Sequence, residues 1–287
     1  MRSEYTTLIP ADELARAIER PDWRVIDCRH DLVDPDHGRL AYTDGHLPGA
    51  HFLHLDDDLS ARPTGRNGRH PLPDPAALAL RLGAFGIDRG TQVVAYDDSG
   101  GIFAARLWWL LRWLGHRRVA VLDGGFRAWC ATAGKLSSRR LPPTSETRFE
   151  IATTDGHVVA DDVAAGLERG DIVLVDARSP DRYRGENETL DPVAGHVPGA
   201  RNRFFHDNLD REGRFKPPTT LATEFRHVIG DVHPAQVVHM CGSGVTACHN
   251  LLAMEAAGIV GSKLYAGSWS EWCSAPERPV AVGPDAG

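Results

Sequence analysis

The stretch Val237-Val238-His239-Met240-Cys241-Gly242-Ser243-Gly244-Val245-Thr246 runs from an apolar segment, through a loop with two glycines, into the helix-compatible residues Ala247 to Ala257. A short apolar run closed by a glycine loop reads as a buried strand. The order strand, loop, helix turns backbone N–H groups toward any negative charge carried in the loop. Those amides favour thiolate over thiol at Cys241. The segment therefore predicts an α/β layout with a nucleophilic sulfur beyond the carboxyl end of a strand, where open parallel sheets carry their catalytic loops.

The rest of the chain repeats itself around this loop. Gly45-His46-Leu47-Pro48-Gly49-Ala50 recurs as Gly195-His196-Val197-Pro198-Gly199-Ala200, an offset of 195 − 45 = 150. Val25-Ile26-Asp27-Cys28-Arg29 recurs as Leu174-Val175-Asp176-Ala177-Arg178, and Asp123-Gly124-Gly125-Phe126 as Ala266-Gly267-Ser268-Trp269. Three blocks in one order mean two copies of one domain. Aligned on them, Val93-Val94-Ala95-Tyr96-Asp97 falls against Val237-Val238-His239-Met240-Cys241, so the first copy holds a carboxylate where the second holds sulfur.

Each copy alternates strand and helix patterns. Strands are expected at Arg24–Cys28, Gln92–Tyr96 and Val119–Leu122, with helices at Pro75–Phe85 and Gly101–Leu114. The second copy repeats this with strands at Ile172–Asp176 and Gln236–Met240, and helices at Ala160–Arg169, Leu221–Val228 and Ala247–Ala257. The fold class is α/β, two tandem domains, each a central mostly parallel sheet flanked by helices. The polar, proline-bearing run around Ser137 to Glu146 sets boundaries of 1–138 for the first domain, 139–156 for a linker and 157–287 for the second.

Composition narrows the function classes. The 287 residues suit two domains, and a net charge of −7 argues against nucleic acid as a main partner. Five scattered cysteines, an odd number, suit a reducing compartment over a disulfide framework. With neither an apolar N-terminal signal region nor an apolar run near 18 residues, a cytoplasmic protein is expected and a membrane partner is not. Neither Gly124-Gly125 nor Gly242-x-Gly244 completes a dinucleotide fingerprint, so no organic cofactor is implied. The tryptophans at 108, 109 and 113 fall at helical spacing and read as core and inter-domain contact.

The duplicated Gly-His-x-Pro-Gly-Ala block, the Asp-x-Arg strand ends and the Cys241–Thr246 loop together resemble the tandem-domain rhodanese sulfurtransferases, over roughly Thr7 to Trp272. The loop is more similar to that of 3-mercaptopyruvate sulfurtransferases than to the thiosulfate enzymes, whose loop carries basic residues after the cysteine. The resemblance implies a catalytic second domain and an inactive first one. It implies that Cys241 takes up sulfur from a small donor as a persulfide and yields it to cyanide or a thiol, with a thioredoxin-like reductant as a further partner. Gly242, Gly244, Val245 and Thr246 would cradle the anionic sulfur. It further implies that Ser243, with His70 and Asp56, relays a proton to the leaving enolate, and that Arg184 holds the donor's carboxylate. A second arginine, which mercaptopyruvate enzymes usually carry some nine residues further on, is absent here; the chain reads Asn187-Glu188-Thr189-Leu190-Asp191.

Competing readings differ at single positions. A cysteine phosphatase needs an arginine six residues after the nucleophile, where this chain has Ala247. A zinc site from His239, Cys241, Cys248 and His249 lacks Cys-x-x-Cys spacing, so no metal is expected and Cys248 and His249 read as packing residues. Thiosulfate as the donor, a persulfide relay fed by a protein donor, and a non-catalytic interaction module remain open alternatives.

Overall fold

The computed structural model describes residues 4–132, 134–139, 141 and 147–286. They divide into two compact units, the first made of the described residues within 4–61, 72–154 and 211–214, the second of those within 62–71, 155–210 and 215–286. The contiguous boundaries expected above differ in two exchanged segments, and residues 62–71 carry His70 into the second unit.

The first unit runs β1 (Leu8–Ile9), α1 (Ala11–Ala17), β2 (Trp23–Asp27), α2 (His37–Asp44), β3 (Ala50–Phe52), α3 (Pro75–Ala84), β4 (Gln92–Tyr96), α4 (Ile102–Trp113), β5 (Val119–Leu122) and α5 (Gly125–Ala131). The second runs β6 (His157–Val158), α6 (Ala160–Arg169), β7 (Val173–Asp176), α7 (Pro180–Arg184), β8 (Arg201–Asn202), α8 (Pro218–Ile229), β9 (Val237–Met240), α9 (Thr246–Ala256), β10 (Lys263–Tyr265) and α10 (Ser268–Trp272). Each makes a five-stranded sheet, ordered β1-β5-β4-β2-β3 and β6-β10-β9-β7-β8. Every ladder is parallel, as βαβ connections require. The central strands β4 and β9 pair on both sides and are buried throughout, so their carboxyl ends set equivalent loops at Asp97 and Cys241.

The long elements follow the sequence pattern within about three residues. Asp74 caps α3 by accepting the Ala77 amide at 2.8 Å ahead of Pro75. Helix α8 begins at Pro218, three residues before the apolar pattern does, because proline suits the first helical turn. The edge strands β1, β3, β6 and β8 have only two or three residues, too few to show any period. Trp108, Trp109 and Trp113 are buried in the first unit, the last two rings stacked at 5.9 Å.

The three repeated blocks meet in each unit, and this is why they recur. Arg29 clasps Asp27 at 2.6 Å, donates to Gly45 O at 2.7 Å and lies over the Phe126 ring at 4.4 Å. Arg178 clasps Asp176 at 2.6 Å, donates to Gly195 O at 2.8 Å and lies over Trp269 at 4.7 Å. Both ion pairs are buried, so removing one partner would strand a charge. The block histidines His46 and His196 stack on Tyr42 and Tyr183. Their backbones bridge Ser137 and Ala281 respectively, tying down the end of each copy.

The expected linker is partly a strap. Thr147, Ala152 and Thr154 donate to Gly83, Leu114 and Trp113 carbonyls, which fastens residues 147–154 to the first unit. Residues 140 and 142–146 of that linker lie outside the described residues.

Candidate active site

Cys241 follows β9 directly, and α9 begins five residues later at Thr246. The loop between is shaped by Gly244 at φ +79°, where an added Cβ would collide with the backbone of Ala266. That turn aims the Gly244 amide at Cys241 Sγ, 3.1 Å away. The Cys241 carbonyl accepts from Trp269 N at 3.0 Å, and its own amide donates to Ser268 Oγ at 3.0 Å. Ser268 holds φ +55°, the one non-glycine residue at positive φ among those described. A serine held in that region against Cys241 is local strain maintained by its surroundings.

Cys241 retains 2% of its exposure. The sulfur is thus not an open thiol at a wide mouth but a nearly enclosed one. Val245 is buried and Thr246 partly so at the helix start. A Cβ on Gly242 would come within 2.8 Å of Arg69 Nη2 and 3.5 Å of both Arg182 terminal nitrogens. Glycine here lets two guanidinium groups lie against the loop.

Ser243 and His70, both buried, are 2.7 Å apart between Oγ and Nδ1. The segment carrying His70 is held by its neighbour: Arg69 N donates to Ser270 Oγ on α10 at 3.0 Å, and the Arg69 side chain pairs with Asp191. Asp56 belongs to the first unit, where its carboxylate lies 3.8 Å from His30 Nε2. His30, His54 and Asp56 cluster closely enough to suggest a cation site. Both ring nitrogens of His54 are engaged, however, Nε2 with Pro35 O and Nδ1 with the Asp56 and Asp57 amides, so the donor set does not suit a metal.

The arginine assignment needs correcting. Arg184 ends α7, is one-third exposed, and is clasped by Glu186 at 2.7 Å. Residues two apart on a helix face opposite ways, so only one of Arg182 and Arg184 can face the loop, and it is Arg182. Its Nε and Nη2 bind Glu188 at 2.9–3.1 Å, and Nη2 also reaches Asp191 at 3.2 Å. The stretch after Arg184 that lacks a second arginine thus supplies two carboxylates, both side chains 2% exposed. Burial opposes ionisation of Glu188, but the Leu190 and Asp191 amides and Arg182 hold it below the usual range. Arg178 completes the group, 3.5 Å from Glu188. Arg69 and the Glu188–Asp191 acid pair escaped the sequence reading, because an Arg beside a His and two acids in a polar loop look like any solvated surface.

The remaining candidates for a metal have other work. His239 Nε2 lies 3.0 Å from Met254 Sδ, and burial pushes its pKa down to about 3. Cys248 donates to Gly244 O, and His249 packs against Asn208 and Phe215.

Residues 10–132 and 159–275 each match the rhodanese-like domain. The chain is 48% identical, over 96% of its length and 98% of the other, to a Pseudomonas aeruginosa protein named "Probable 3-mercaptopyruvate sulfurtransferase". It is 32% identical to the thiosulfate sulfurtransferase of Bos taurus, covering 97% of this chain and 96% of that one. The crystal structure of SseA from Escherichia coli, a 3-mercaptopyruvate sulfotransferase with the rhodanese fold, superposes with a TM-score of 0.80 at 30% identity, covering 92% of this chain and 99% of that one. Two matched domains, a cysteine on the loop after the central strand of the second, and full-length likeness converge: the chain belongs to the rhodanese-like family of sulfurtransferases, as a tandem-domain member.

Proposed function

We propose that the protein moves sulfur from 3-mercaptopyruvate to cyanide or a thiol through a persulfide on Cys241. The observation that carries the donor is the 2.7 Å contact between Ser243 Oγ and His70 Nδ1, two residues from the nucleophile. The Cys241 thiolate attacks the donor's sulfur; an S–S bond forms, the C–S bond breaks, and its electron pair leaves as the enolate of pyruvate. That enolate needs a proton. Ser243 gives one through its hydroxyl and His70 restores it, whereas sulfite leaving from thiosulfate needs none. Cyanide or a thiolate then attacks the outer sulfur and Cys241 departs as thiolate. The Gly244 amide serves both the resting sulfur and the loaded one.

In this reading the donor's carboxylate lies on the Gly242 flank beside Arg182, and Gly242, Gly244, Val245 and Thr246 form the wall around the sulfur. The role of Asp56 in orienting His70 rests on the family resemblance. Five cysteines, all unbridged, support a reducing compartment, the cytoplasm, with a thioredoxin-like protein as thiol acceptor. Thiosulfate is the competing donor, favoured by the bovine relative's name.

The deciding experiment compares kcat/KM for the two donors with cyanide as common acceptor. A hundredfold preference for 3-mercaptopyruvate, about 2.7 kcal/mol of transition-state discrimination, is expected. Preference for thiosulfate would overturn the assignment.

A further inference from the structure

We propose that Asp191, with Glu188, sets the charge of the donor this site accepts, by neutralising the two arginines beside Gly242 so that singly charged anions are favoured over doubly charged ones. The inference rests on the assignment of the Gly242 flank as the donor's anion site. Arg69 pairs with Asp191, while Arg182 pairs with Asp191 and Glu188. Arg178 is taken by Asp176 and also meets Glu188. Three guanidinium groups are thus matched by three carboxylates. The two acids nearest the loop are enclosed, while Arg182 and Arg69 keep 19% and 32% of their side-chain exposure. An approaching anion therefore meets N–H donors whose charge is already cancelled from behind.

Such a site discriminates by charge. Hydrogen bonds from Arg182 and Arg69 can still orient a planar carboxylate, but the Coulomb reward for a second negative charge is missing. Because Coulomb energy is proportional to the ligand's charge, removing one carboxylate should act on a dianion with twice the logarithmic effect that it has on a monoanion. A purely structural role for Asp191 would not produce that ratio.

The test uses Asp191→Asn and Glu188→Gln in the full chain, each checked for folding by circular dichroism. KM for thiosulfate should fall about tenfold in Asp191→Asn and KM for 3-mercaptopyruvate about threefold, with kcat little changed; Glu188→Gln should move both the same way by less. Equal changes for both donors, or none, would overturn the proposal. An independent readout needs no turnover: the concentrations at which sulfate and pyruvate slow alkylation of Cys241 by iodoacetamide should show the same two-to-one logarithmic ratio. In the wild type, sulfate should protect no better than pyruvate, a result that holds even if the variants fail to fold; tighter protection by sulfate would contradict the proposal. If the protection ratio appears but neither donor is turned over, the donor assignment fails and the charge rule stands. If 3-mercaptopyruvate is turned over and the ratio is absent, the reverse holds.

Discussion

The loops after β4 and β9 share a backbone plan and differ in what the plan holds. In the first unit, Asp97 accepts the amides of Ser99, Gly101, Phe103 and Ala104 at 2.8–2.9 Å. In the second, Cys241 occupies the same place and accepts Gly244 N at 3.1 Å. Asp97 O accepts Phe126 N as Cys241 O accepts Trp269 N, and Gly125 at φ +56° stands where Ser268 holds φ +55°. The turn after the central strand therefore belongs to the fold, and what stands at its start differs. A carboxylate fastens the loop to the helix behind it through four amides. A sulfur held by one amide is, in the proposed function, the group that forms and releases a bond.

The sharpest way to break this comparison is to exchange the fillings. Cys241→Ser should abolish sulfur transfer from every donor, read as thiocyanate formed from cyanide; retained activity would dismiss the covalent route. Asp97→Ala leaves four buried N–H groups without their acceptor. It should cost about 3 kcal/mol or more in urea unfolding, against about 1 kcal/mol for Cys241→Ala. Equal costs would mean that the carboxylate is not an anchor.

Next in size, Ser243→Ala should lower turnover with 3-mercaptopyruvate about a hundredfold while sparing thiosulfate; equal loss with both donors would remove the proton relay. The acids of the two units should also respond oppositely to pH. Burial raises the Asp97 carboxyl above its usual range, more than its amide partners lower it, so its ionisation withdraws stability as pH rises from the ordinary aspartate range through that raised value. Glu188 is held low, so its contribution is complete above the ordinary glutamate range and disappears as pH falls through its lowered value. Urea midpoints of wild type and Glu188→Gln should therefore separate near neutrality and converge in acid. The smallest effect belongs to Ser268. Ser268→Ala and Ser268→Gly both lose the two hydrogen bonds of the hydroxyl, from Cys241 N and to Tyr265 O, but only Ser268→Gly also relieves the positive φ and should be the more stable of the two by about 1 kcal/mol.

Much of this was legible in the sequence for physical reasons. β4, β9 and α6 carry enough apolar period to announce themselves, and glycines around a cysteine at a strand end signal the loop. The short edge strands carry no period at all. The repeated blocks were readable as a duplication but not as a mutual clasp, because the contacts of Arg29 with Gly45 and Phe126 join residues far apart in the chain. Arg182 and Arg184 differ only in which side of one helical turn they occupy, a distinction that five residues of sequence do not encode. Glu188 and Asp191 were noticed for the arginine they lack rather than for the arginines they bind.

The central claim is that Cys241 carries the transferred sulfur. Intact-mass analysis after exposure to 3-mercaptopyruvate without acceptor should show one added sulfur atom, mapped to the Cys241 peptide, absent from Cys241→Ser and removed by cyanide. A protein that gains no sulfur, or gains it on another cysteine with Cys241→Ser still loading, would contradict the account.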